Sequence, residues 1–178
     1  MTSRLPVDYD GLIGEGWSGT DPDGAHVNVV LAERGTPTAA ALLTTFTSPA
    51  PGHAPILVVV GEKKRLYEPV WPPTIMINKA TAVEPRHQKI TWGAGQLGIA
   101  QGVLDAVAED LIPASGDLLV FVAIYIDPGA TDETAVRLAS REATLKGIRT
   151  ARQGRDPAAA RALVDRRDHV RSPFYGGS

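Results

Sequence analysis

Hydrophobic and polar positions alternate most regularly over residues 25–32, a valine-rich stretch. There Val27, Val29 and Leu31 fall on one face of an extended chain and His26, Asn28 and Val30 on the other, which predicts a half-buried strand. Residues 12–15 read as the end of an earlier strand, and residues 17–24 (WSGTDPDG) as turn chemistry throughout. Thr36-Pro37 predicts an N-cap followed by proline at the first helical position, with a short helix to about residue 45. The unbroken apolar run 56–60 predicts a strand buried on both faces. A charged, proline-rich loop over 61–73 follows, containing Lys63, Lys64, Arg65, Tyr67 and Trp71.

Residues 74–81 predict a further strand, in which Ile75, Ile77, Lys79 and Thr81 share a face that turns from apolar to polar. Leu97, Leu104, Val107 and Leu111 keep helical spacing over 95–111, and Pro113 and Gly116 end that helix. Residues 118–126 carry the strongest strand pattern in the chain. Thr131 is the expected cap of a long helix with Asp132 and Glu133 in its first turn, basic residues toward its end, and Leu138, Leu145 and Ile148 as its buried stripe. Gly154 and Pro157 break it, and 157–166 form a short last helix. Strands and helices interleave, so the expected class is α/β: a layered sheet with helices packed on it, in a single domain spanning 1–178.

Composition narrows the chemistry. A chain of 178 residues buries roughly 70% of its unfolded surface and needs no staples. It has no cysteine, which excludes disulfides, thiolate metal sites and a cysteine nucleophile, and fits a reducing, cytoplasmic setting. The opening MTSRLPVDYD resembles neither a secretory signal nor an arginine-rich leader, and no apolar run approaches the roughly 20 residues of a membrane helix. A net charge of −2 and an aromatic content of 6% give no pull toward nucleic acid. Charge is uneven, though: ten of the 18 Lys/Arg but four of the 20 Asp/Glu lie from Thr134 onward. That segment is either a solvated arginine-rich helix face or a surface for an anionic ligand tail.

Of the four histidines, none pairs with another at metal-ligand spacing, so no metal is expected. His53, His87 and His169 read as surface residues. His26 differs, because it enters a valine strand with Asn28 on the same face. That arrangement fits the solvent side of a half-buried strand, or a functional site. Gly93, Gly95 and Gly98 spell G-x-G-x-x-G, but the preceding residues 89–92 are short, begin with lysine and lie mid-chain, which argues against a dinucleotide fold. A glycine-rich helix start is the simpler reading.

Several short motifs follow one another along the chain. They are Gly14-Glu15-Gly16, Ala25-His26-Val27-Asn28, Arg34-Gly35-Thr36-Pro37, Asn78-Lys79-Ala80-Thr81, the glutamine-containing helix start from Gly93 to Ala100, the run from Asp105 to Glu109 before Ile112-Pro113-Ala114, Glu142-Ala143-Thr144, and Pro173-Phe174. Together they span about residues 10 to 175, and in this order they resemble the formaldehyde-activating enzyme family. The resemblance implies condensation of formaldehyde with tetrahydromethanopterin, or a related reduced pterin, with loss of water. It also implies a fold like the second domain of ribosomal protein S5 and a homopentameric assembly.

Carried over position by position, the resemblance makes His26 the catalytic residue and Asn28, Leu57, Lys79, Thr81 and Gln96 the substrate-binding residues. Asn28 stands where the family has aspartate, and Leu97 where it has a histidine. The loops at 17–24 and 61–73 are longer than the family's. The residue types suit the chemistry. Loss of hydroxide from a carbinolamine needs a proton, and histidine, with an unperturbed pKa of about 6.5, can supply it near neutral pH. Asn28 keeps hydrogen-bonding capacity but carries no charge to favour an imidazolium. Two further readings follow: a diverged enzyme condensing an aldehyde with another amine, and a non-catalytic pterin- or aldehyde-binding protein.

Overall fold

A computed structural model of the chain describes residues 5–63 and 66–172. The Pro173-Phe174 motif and loop residues Lys64 and Arg65 lie outside the described residues. Among the described residues seven strands form: β1 (Leu12–Ser18), β2 (Ala25–Glu33), β3 (Ile56–Leu57), β4 (Val59–Val60), β5 (Glu68–Pro69), β6 (Thr74–Asn78) and β7 (Leu118–Ile126). The helices are α1 (Pro37–Leu43), α2 (Pro85–Lys89), α3 (Gln96–Ala108), α4 (Glu133–Gln153) and α5 (Pro157–Asp165). The main sheet runs β1-β2-β7-β6-β3, with β6 parallel to β7 and the other pairs antiparallel. This is the expected α/β layering.

The alternation predicted for β2 is the alternation observed. Val27, Val29 and Leu31 are fully buried, together with Val120, Val122 and Ile124 of the neighbouring β7. Helix α4 packs over β1 and β2, and α3 packs against α4. The contact between β1 and α4 leaves no room for side chains. A Cβ on Gly14 would collide with the backbone carbonyl of Gly147, and one on Gly16 with that of Ala143. The G-E-G motif is therefore a strand whose two glycines face the helix and whose glutamate faces away.

Several expectations are corrected. The first strand continues through Trp17 and Ser18, so the connection to β2 is shorter than the turn-rich stretch suggested. The apolar run 56–60 is not one doubly buried strand. β3 pairs with β6 and β4 with β5, and the chain changes partner at Val58, whose N–H donates to the Thr74 carbonyl while its own carbonyl accepts from Val70. Only Val58 of this run is fully buried, and Leu57 is exposed. The strand expected over 74–81 stops at Asn78.

The helix expected from residue 95 is the second part of a longer path. Residues 85–89 are α2, and a wide turn at Ile90–Gly95 carries the chain into α3. The residues before the glycines are thus helical, which removes the strand that a dinucleotide site requires. α3 buries Gly98, Ile99, Ala100, Gly102, Val103 and Ala106, and leaves Leu97 and Leu104 exposed. On α4 the buried stripe consists of Val136, Ile148 and small residues, while Leu138 faces outward. Asp132, not Thr131, caps α4: its carboxylate accepts from the N–H groups of Thr134 and Ala135.

The arginine-rich helix is engaged within the fold. Arg137 donates to Gln101, Arg141 makes a two-pronged pair with Asp105, and Arg149 reaches Glu109. These partners recur every four residues along α3, so the basic face of α4 is matched by a polar ridge on its neighbour. His87, expected at the surface, is buried, and its Nε2 lies 3.0 Å from the Ile126 carbonyl.

Candidate active site

The sheet face turned away from α4 collects the polar side chains that the alternation singled out. β2 presents His26 and Asn28. On one side β1 presents Trp17 opposite His26 and Glu15 opposite Asn28. On the other side β7 presents Tyr125 opposite His26 and Ala123 opposite Asn28. β6 is parallel to β7, so the chain leaving β6 delivers Lys79 to the same neighbourhood; the Lys79 N–H donates to the Ile124 carbonyl at 2.7 Å and extends the ladder by one bond.

Lys79 is the centre of a compact cluster. Its Nζ lies 2.6 Å from His26 Nδ1 and 2.9 Å from Asn28 Oδ1. With Nζ the donor in both contacts, Nδ1 is the acceptor and neutral His26 carries its proton on Nε2. That nitrogen points to Glu15, whose Oε2 is 3.6 Å away on an exposed side chain. The Trp17 ring lies beside the imidazole, with centroids 6.5 Å apart.

Burial and the Lys79 charge hold the His26 pKa below its ordinary value, against the opposing pull of Glu15. Burial likewise lowers the Lys79 pKa, again opposed by Glu15. Two basic groups in contact, each disfavoured in its charged form, suit proton exchange between them better than a fixed ion pair does.

The remaining predicted residues are placed nearby or elsewhere. Leu57 on β3 exposes 40% of its surface and pairs with Ile75. Thr81 lies past the end of β6, exposed, with its Oγ1 3.0 Å from His53 Nε2. Gln96, at the start of α3, donates from Nε2 to the Val59 carbonyl and makes no hydrogen bond with the His26 cluster. Sequence reasoning missed Glu15 and His53. Glu15 was readable from alternation between two glycines that must face a helix. His53 had no local signal: its ring is held by the Asn78 carbonyl, 2.9 Å from Nδ1, and by Thr81. Among the described residues, no group of three or more His, Asp or Glu side chains is disposed to hold a metal ion.

A family model described as formaldehyde-activating enzyme matches residues 13–175. The chain belongs to the formaldehyde-activating enzyme family. The 5,6,7,8-tetrahydromethanopterin hydro-lyase of Methanosarcina barkeri is 30% identical over 92% of this chain and 89% of its own length. The bifunctional enzyme Fae/Hps of Methanothrix thermoacetophila is 30% identical over 80% of this chain, and that of Archaeoglobus fulgidus 27% identical over 94%. The matches to these two larger proteins span 36% and 40% of their lengths. The match to the family model takes in the β1–β2 hairpin, Lys79 and the start of α3. No helix among the described residues is long and apolar enough to cross a membrane.

Proposed function

We propose that this protein is a carbon–oxygen lyase of the formaldehyde-activating type, condensing formaldehyde with tetrahydromethanopterin to the methylene adduct with loss of water. The observation that carries the reading is the Lys79–His26–Asn28 cluster on the open face of the sheet of a formaldehyde-activating family member. An amine of the pterin adds to formaldehyde and gives a carbinolamine. Its hydroxyl leaves as water when His26 donates a proton, and a second amine then closes on the same carbon. The closing amine gives up its own proton, and that proton restores the imidazole, whose Nδ1 is in contact with Lys79. A positioned acid of this kind contributes about 100- to 10,000-fold, or roughly 3 to 5.5 kcal/mol of barrier.

Asn28 and Lys79 bind and orient the heterocycle by hydrogen bonds, Leu57 offers it an apolar surface, and Thr81 adds a hydroxyl whose position His53 holds. Orientation matters because two amine nitrogens must meet one carbon. Gln96 makes no contact with this cluster within the chain, which supports a site completed where subunits meet. Exposed Ile13, Trp17, Leu97, Leu104 and Leu138 supply apolar surface for a homo-oligomer, proposed as a homopentamer. No metal takes part in this scheme, and the proposed setting is the cytoplasm.

The test is stopped-flow formation of the methylene adduct from formaldehyde and tetrahydromethanopterin, with the spontaneous rate subtracted. The natural protein accelerates it, and His26→Ala lowers the catalysed rate about 100-fold or more with an unchanged circular dichroism spectrum. An unaltered rate in the folded variant removes His26 from the chemistry. Tight pterin binding without acceleration replaces the enzyme with a binding protein, and acceleration only with other amines replaces the substrate.

A further inference from the structure

Lys79 has unusual company for a half-buried lysine. Its two hydrogen-bond partners, His26 Nδ1 and Asn28 Oδ1, are uncharged, and among the described residues no carboxylate oxygen lies within 4 Å of its Nζ. Lys89 and Lys146 show the ordinary arrangement, paired with Glu133 at 2.6 Å and Glu142 at 2.8 Å. A neutral amine has two N–H bonds and one lone pair. With one N–H directed to Nδ1 and the other to Oδ1, the lone pair is left for a carbon electrophile. An ammonium in the same place would have a third N–H without a partner in the cluster. Burial favours the neutral form as well and outweighs the opposing charge of Glu15.

We propose that Lys79 is a nucleophile that takes up formaldehyde as an iminium on Nζ and passes the carbon to the acceptor amine, with Asn28 and His26 as the cradle that keeps it neutral and aimed. The proposal deepens the reading above: the overall condensation is the same, the first carbinolamine forms on Nζ in place of the pterin amine, and it rests on formaldehyde being the substrate of this site.

The step balances with groups already present. The Nζ lone pair forms a bond to the aldehyde carbon, and the carbonyl electron pair moves to oxygen. The proton that Nζ must lose goes to His26 Nδ1, and the imidazolium returns it to the oxygen, giving a carbinolamine. A second proton, drawn from solvent through His26, lets the hydroxyl depart as water and leaves the Nζ iminium. Attack by the acceptor amine on that carbon, followed by expulsion of the Lys79 amine, restores the lysine and transfers the one-carbon unit. No oxidant, reductant or metal enters.

Sodium cyanoborohydride reduces such an iminium to N-methyl-lysine, so the test is reductive trapping at neutral pH. The intact protein is given a near-stoichiometric amount of 13C-formaldehyde, and peptide mass spectrometry reads each lysine. Lys79 should be methylated at least tenfold faster than Lys89 and Lys146, although exposure alone favours Lys89. Asn28→Asp, which supplies the missing carboxylate, should abolish the preference. Lys79→Arg, which keeps N–H donors for Nδ1 and Oδ1 but cannot form an iminium, should lose catalysed condensation.

Labelling of Lys79 no faster than of Lys89 and Lys146 overturns the proposal, as does undiminished preference in folded Asn28→Asp or natural turnover in Lys79→Arg. Selective labelling of Lys79 in a protein that fails to accelerate pterin condensation upholds the proposal and refutes the pterin reading. Pterin turnover without selective labelling does the reverse.

Discussion

Asn28→Asp places a full negative charge where an amide oxygen now accepts from Lys79 at 2.9 Å. The change is nearly isosteric, so its effect is electrostatic. Unit charges that close interact by roughly 6 kcal/mol at an effective dielectric of about 20, and by about 1.4 kcal/mol in bulk water. A half-buried pair lies between these limits. At 1.36 kcal/mol per pH unit, the Lys79 midpoint should rise by roughly one to four pH units.

The contacts of 2.6 and 2.9 Å to the shared Nζ put the oxygen at position 28 within about 5.5 Å of His26 Nδ1, so the His26 midpoint should rise by about half a pH unit or more. The sign follows from the natural site. Burial, then the Lys79 charge, hold His26 below its ordinary value, and a carboxylate favours the imidazolium they oppose. Because the folded midpoint is depressed, the unfolded chain binds the proton more readily just below neutrality, and the natural protein loses stability as pH falls through the ordinary histidine range. Asn28→Asp should flatten that slope. The assay is an NMR titration of the four histidine rings, with the His26 signal assigned by its loss in His26→Gln, alongside urea unfolding from pH 5 to 8. A His26 midpoint that stays or falls in the Asp variant would refute the account of this cluster.

Two further outcomes are expected. Gly16→Ala should lower stability by about 1 to 3 kcal/mol, because its Cβ meets the Ala143 carbonyl and both are backbone-fixed; thermal denaturation should shift by roughly 2 to 12 °C, and no shift would mean that α4 is not seated on β1 as described. Light scattering should give a mass about five times 18.8 kDa, whereas a stable monomer at micromolar concentration would refute the pentamer.

The elements legible in the sequence are those whose burial is set by their own alternation. β2 and β7 are long, rich in β-branched residues and half-buried, so each carries its register in its side chains. Helix α5 likewise announces its start with Asp156-Pro157. The errors occur where distant parts of the chain decide. The run 56–60 divides at Val58 because two different strands claim its backbone groups. Leu97, Leu104 and Leu138 have core-like character yet face outward, since α3 and α4 approach each other through glycines and small residues instead. His87 stands in a run of polar residues that reads as surface, but α2 turns it onto the end of β7.

The candidate site divides the same way. His26 and Asn28 were visible from one strand, and Lys79 from the polar end of another. That all three make one cluster depends on β7 lying between β2 and β6, which no local pattern encodes.

The two faces of β2 answer to different demands. Val27, Val29 and Leu31 are locked into the core, and none of them touches the chemistry. His26, Asn28 and Val30 sit between them in sequence and contribute little to that core. Adjacent codons are therefore subject to separate selection: one set drifts only within the limits of core volume, the other within the limits of a ligand. A library randomising positions 28 and 30 together with 15 and 17 would vary the reactive surface at a small cost in folding. By this route one scaffold can be turned to new aldehyde or amine partners without being rebuilt.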